Sequence, residues 1–84
     1  MIYDWQFSSI LGNDRWIKYF IKDTNIPTNL LIGVVESSTH FDGFRWMVHD
    51  GQTKYVIRIN KEETHEKAKK AVEIAVEAIF AGKA

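Results

Sequence analysis

From Gly43 to Asn60 the chain alternates with a period of two, and beyond Asn60 it switches to a period near 3.6. That switch limits the fold more than any other feature. In the first stretch Phe44, Trp46 and Val48 share one face, and Arg45, Met47 and His49 share the other. After Asp50-Gly51, the residues Tyr55, Ile57 and Ile59 lie opposite Lys54, Val56 and Arg58. Two half-buried strands joined by Asp-Gly read as a β-hairpin with a two-residue turn. The two apolar sets meet only if the loop holds an even number of residues. A four-residue loop, 50–53, also satisfies this, but it sets Arg45 opposite Arg58, and like charges directly opposed are unfavourable. The shorter turn is therefore expected.

The following segment, "NKEETHEKAKKAVEIAVEAIFAGKA", reads as one helix. Asn60 suits the N-cap, and Glu63 three residues on completes a capping-box pattern. Gly82 is a natural stop. Ala68, Ala71, Val72, Ala75, Ala78 and Ile79 form one face. Val76 and Phe80 widen it on one side, and Ile74 lies off it on the other. Glu63/Lys67 and Glu66/Lys70 are opposite-charge pairs four apart. Because the stripe is mostly alanine, bulky groups must come from the surface it packs on.

That surface should be a sheet. "NLLIGVVESS" is apolar on both sides and reads as a central strand pairing with 43–49 through "STHFDG". At the N-terminus Tyr3, Trp5 and Phe7 alternate with Asp4, Gln6 and Ser8, and "LGNDR" is turn-like. "RWIKYFIK" fits a strand, in which Ile17, Tyr19 and Ile21 alternate. It also fits a short helix capped by Asn13, with Trp16, Ile17, Phe20 and Ile21 on one face. Its β-branched and aromatic content favours the strand. The single proline, Pro27, marks a loop, with residue 26 extended before it. The expected architecture is a single α+β domain, 1–84. It is an antiparallel meander of four to five strands with one C-terminal helix packed on one face.

Eighty-four residues bury a modest core, and 13% aromatic content helps to fill it. There is no cysteine, hence no disulfide framework or thiolate metal site. "MIYDWQF" lacks a signal-peptide pattern, and the apolar run "LLIGVV" is far short of a membrane span. A cytoplasmic, non-membrane protein is expected. Acidic and basic residues balance at eleven each, so binding to nucleic acid through bulk charge is disfavoured.

The stretch "HFDGFRWMVHDG" looks like a ligand cluster, but strand geometry separates its parts. Residues 42 and 49 are roughly 20 Å apart along an extended strand. His40/Asp42 and His49/Asp50 therefore cannot share a metal, and each pair alone falls short of a zinc ligand set. Asp42-Gly43 and Asp50-Gly51 read as turn residues. His65 has no second histidine four residues away. Ser8, Ser9, Ser37, Ser38 and the threonines are the only candidate nucleophiles, and no nucleophile elbow, phosphate loop or dinucleotide fingerprint surrounds them. No enzymatic activity, cofactor or metal is expected.

A binding surface fits better. One helix covers one face of a sheet, which leaves the other face of the 44–59 hairpin free. The candidate partner-binding residues are Arg45, Met47, His49, Lys54 and Arg58, with Trp16 and Phe20 as large residues left without room under the helix. Tyr19 is a further aromatic of that kind. Aromatic and methionine side chains beside arginine are typical of protein interfaces. Nucleic acid is the second reading. It is weakened because Phe44, Trp46 and Tyr55 should face the helix while the basic groups face away, whereas a stacking platform needs both together. Self-association through a strand edge, giving a homodimer, is the third.

Residues 30–80 also resemble a pattern common in very small phage-encoded or mobile-element proteins. The shared parts are a strand, a turn, the aromatic strand "GFRWMVHDG", another strand, and an acidic helix start with alternating lysines and alanines, "KEETHEKAKKAVEIAV". The glycine that often follows the second hairpin strand in such proteins is absent here. Several of them, anti-CRISPR inhibitors among them, act by binding host proteins without catalysis. The resemblance thus implies a small binding protein that inhibits a host defence protein, and it carries over no individual site residues.

Overall fold

In the computed structural model, which describes residues 4–21, 30–39 and 41–82, five strands precede one helix. They are β1 (Gln6–Ile10), β2 (Asn13–Ile21), β3 (Leu30–Ser38), β4 (Phe41–Asp50), β5 (Val56–Glu62) and α1 (His65–Phe80). All neighbours are antiparallel and the spatial order is the chain order, a meander with β3 at its centre. Residues 13–21 are a strand rather than a short helix. Its Trp16 and Phe20 reach the core from the sheet, alongside Trp5. The expectations for Tyr3, residue 26, Pro27 and His40 lie outside the described residues.

Helix α1 packs on β3, β4 and β5. Its Ala68, Val72 and Val76 stripe is buried against Leu31, Val35, Trp46 and Val48. Val76, expected at the margin of the stripe, sits at its centre, while Ile74 is exposed as the period requires. Val35, Val48 and Val72 are fully buried, and each burial contributes roughly 1.5–3 kcal/mol. Close approach depends on Gly33. A Cβ there would lie 2.5 Å from Val72 Cγ1 and 2.8 Å from Phe20 Cε2. The sheet thus leaves a gap where the helix carries a valine.

Three local expectations are corrected. The helix begins at Thr64, whose Oγ1 accepts from the Lys67 N–H at 3.2 Å, and not at Asn60. β5 runs on through Asn60 to Glu62, because Trp46 and Phe44 of β4 are still there to pair with. Glu63 consequently precedes the helix, and the capping box does not form. The C-terminal end agrees with the sequence: Gly82 follows with φ +76 and donates its N–H to Ile79 O.

The β4–β5 loop is not a two-residue turn. Asp50 N–H donates to Tyr55 O, and Lys54 N–H donates to Asp50 O, which encloses the four residues 51–54. Gly51 is held against β3, its N–H donating to Leu30 O at 2.9 Å, so it cannot close a tight turn. The Asp50 carboxylate accepts from the amides of Gln52 and Thr53, at 2.8 and 2.9 Å. A bulge then shifts the register between Val48 and His49, whose partners are Arg58 and Val56. Ile57, the extra residue, packs against the core.

Asp42 and Gly43, expected in a turn, lie inside β4 beside a second register shift opposite Glu36–Ser38. The tight turn of the N-terminal hairpin is Leu11-Gly12, with φ +52 and +81. Positive φ at both positions marks the type I′ turn, whose twist matches the flanking strands.

Candidate functional site

The face of the sheet opposite α1 carries its side chains in rows, because cross-strand partners in an antiparallel sheet share a face. One row is apolar across four strands: Ile17 faces Val34, Val34 faces Met47, and Met47 faces Ile59. A parallel row is charged: Arg15 faces Glu36, Glu36 faces Arg45, and Arg45 faces Lys61. On the other side of the apolar row lie Tyr19, Ile32, His49 and Val56.

No described element covers this face, yet Val34 and Met47 are only 3% and 9% exposed. Their neighbours in the rows shield them. The margins stay open: Ile59 is 57% exposed, and Tyr19 and Val56 are also exposed. Between the rows lies a shallow depression of about 240 Å³, bounded by Arg15, Tyr19, His49 and Lys54.

Glu36 organises the charged row. It is mostly buried, lies 3.7 Å from Arg15 Nε, and pairs with the Arg45 guanidinium. Arg45 also sits over the Phe41 ring, 5.1 Å from its centroid, and Lys61 approaches the same ring at 5.7 Å. These cation–π contacts hold the cationic side chains in place. With Lys54 at the margin, four cations, Arg15, Arg45, Lys54 and Lys61, stand around the Glu36 carboxylate. The chain is neutral as a whole, so its charge is distributed unevenly between faces.

The predicted site residues divide. Arg45, Met47 and His49 lie together on this face, as the period of two requires, and Lys54 lies at its edge. Met47 is part of the apolar floor and not an exposed anchor. His49 Nδ1 lies 3.3 Å from Lys54 O, tying the strand end to the loop. Lys54 has φ +66 and donates from Nζ to Gly51 O. The bulge places Arg58 opposite the core residue Val48, on the helix side, where its guanidinium donates to Ile57 O. Trp16 and Phe20 also point to the helix side and pack against the core, so they do not contribute to the outer face.

Two residues expected under the helix stay outside it. Tyr55 is 76% exposed beside the loop, and Ile59 belongs to the outer apolar row. The single inserted residue in β5 reverses the parity for Ile59, whereas Tyr55 precedes it and is exposed because it lies at the loop. Residues 15, 17, 19, 32, 34, 36, 56 and 61 share the face, and Gln6 and Ser8 of β1 extend it. The alternation of Ile17 and Tyr19 was the sequence signal for part of it. The pairing of Arg15 and Arg45 through Glu36 needed the register.

Asp42 and His49 lie in the same strand towards opposite ends, and among the described residues no three His, Asp or Glu side chains are grouped so as to hold a metal ion. No helix among the described residues is long and apolar enough to cross a membrane. Comparison with known proteins returns no matching family model, no matching curated protein and no matching solved structure.

Proposed function

We propose that this chain is a non-enzymatic protein-interaction module whose docking surface is the outer face of the sheet. The carrying observation is the pair of adjacent rows: the apolar ridge Ile17–Val34–Met47–Ile59 beside Arg15–Glu36–Arg45–Lys61. An apolar centre with a charged border is the anatomy of a protein interface. The excess of cations selects a partner that presents carboxylates next to an apolar strip. Resemblance to small phage-encoded binders makes a host protein the class of partner, with inhibition as the consequence of docking, and fits a cytoplasmic setting.

The test compares the wild-type chain with Ile59→Glu and Lys61→Glu, both at exposed positions. Affinity capture from a host lysate, followed by calorimetric titration with the purified partner, should show binding that both variants weaken. Equal affinity for all three proteins would remove the outer face from consideration. Titration with single- and double-stranded oligonucleotides at two salt concentrations addresses the second reading. Salt-sensitive binding there would favour nucleic acid.

A further inference from the structure

The two edges of the sheet are built differently. The β5 edge carries Arg58, Lys61 and Glu62, and a bulge interrupts its pairing. Charges and bulges are the usual protection of an edge strand against a second chain. The β1 edge, "QFSSI", has no charge and no proline, and pairs with β2 one residue to one. All five of its residues are exposed. Among the described residues no strand lies on its outer side.

Its hydrogen-bonding groups can be assigned. The two-residue turn makes Ile10 and Asn13 the closing, doubly bonded pair of the hairpin. Alternation along the strand then commits Gln6, Ser8 and Ile10 to β2 and directs the N–H and C=O of Phe7 and Ser9 outward. At the tip, Leu11 takes a positive φ that asparagine or glycine tolerates better, and it is 94% exposed. An apolar side chain held there in a strained conformation has no role within the described fold.

We propose that β1 pairs antiparallel with β1 of a second copy of this chain, about a two-fold axis at Ser8. In this register Phe7 of each copy faces Ser9 of the other and exchanges both outward hydrogen bonds with it. Gln6 faces Ile10. Leu11 of each copy falls opposite Trp5 of the other and diagonal to Phe7, so the exposed tip gains aromatic neighbours. β1 brings no charged side chain into the pairing. The product is one ten-stranded sheet in which both outer faces stay open, so the proposal does not depend on the function assigned to that face.

Sedimentation of the full chain over a dilution series tests this. A mass of two chains, falling to one on dilution, is expected. Ser9→Pro removes an outward N–H and keeps the bonds to β2, so dimerisation should weaken by about tenfold or more. Ser8→Glu sets two carboxylates face to face on the axis while placing each beside Arg15 of its own copy. It should be monomeric with an unchanged circular dichroism spectrum. The chain has no cysteine, so a single introduced thiol reports the register. Ser8 faces itself at a Cα separation of about 4.5 Å, within disulfide range, whereas position 6 lies roughly 13 Å from its copy. Ser8→Cys should therefore cross-link much faster than Gln6→Cys. A wild-type monomer at the highest concentration, a dimer unaffected by Ser8→Glu, or equal cross-linking at positions 6 and 8 would overturn the pairing, even if Ser9→Pro failed to fold.

Discussion

The imidazole of His65 lies 4.1 Å, centroid to centroid, from the indole of Trp16, and stacks on Phe44 from another side at 5.6 Å. It stands at the first turn of α1, where the helix dipole disfavours a cation, and its Nε2 is buried without a hydrogen-bond partner among the described residues. Burial holds its pKa below the ordinary 6.5, Lys69 pushes it further in the same direction, and Glu66 partly offsets both.

The consequence is a pH dependence of stability. Below pH 6.5 the unfolded chain takes up a proton at His65 more readily than the folded chain does. This contribution is therefore complete above that pH and is lost as the pH falls through the lowered folded value. Thermal melting should be flat in this respect above about pH 7 and should decline by a few degrees in mildly acidic buffer. His65→Phe keeps a ring in the aromatic cluster and should abolish that decline. An unchanged acid limb in the variant would assign it to other groups.

Gly33 and Val72 predict a packing conflict. Gly33→Ala should destabilise the fold by about 1–3 kcal/mol through overpacking, which lowers the melting temperature by roughly 4–8 °C per kcal/mol. Because Val72 Cγ1 is the nearest obstacle, Gly33→Ala combined with Val72→Ala should cost less than the sum of the two separate changes. Additive losses in that double-mutant cycle would show that the helix is not the obstacle.

The start of the helix can be located by two substitutions. Thr64→Ala removes the side-chain acceptor of the Lys67 amide and should cost about 1 kcal/mol. Asn60 lies in β5, where its Oδ1 accepts from the next amide, Lys61 N. Asn60→Ala should therefore change chemical-denaturation midpoints much less. The reverse ranking would place the cap where the local pattern first suggested it.

Leu11→Asn should separate stability from association. A leucine in the left-handed region costs roughly 1–2 kcal/mol, and asparagine followed by glycine is the favoured type I′ pair. The variant monomer should melt higher by several degrees. Its dimer should be weaker, since the apolar tip opposite Trp5 is gone. A variant that melts no higher than wild type, at a dilution where both are monomeric, would mean that Leu11 is not strained in solution.

Periodicity by itself determined the elements and one face of the hairpin. Alternation identified the hairpin strands, an unbroken apolar run identified β3, and β-branched and aromatic content decided β2. The same alternation placed Phe44, Trp46 and Val48 under a helix and Arg45, Met47 and His49 away from it. The alanine-rich stripe located the helix and Gly82 its end. Only the tertiary structure decided where these patterns stop. The capping signal at Asn60 is local, but β4 still offers pairing partners up to Glu62, so the strand continues and Thr64 becomes the cap. The parity of β5 is also local, but one inserted residue opposite Val48–His49 turns Ile59 outward and Arg58 toward the helix. Trp16 and Phe20 read as surplus aromatics until the pairing of β2 with β3 sets them opposite Val35 and Leu31, beside the core. A side-chain period is written within a few consecutive residues. Register, bulges and the burial of a ring depend on which distant strand lies alongside, and that information is carried by hydrogen bonds between segments rather than by either segment alone.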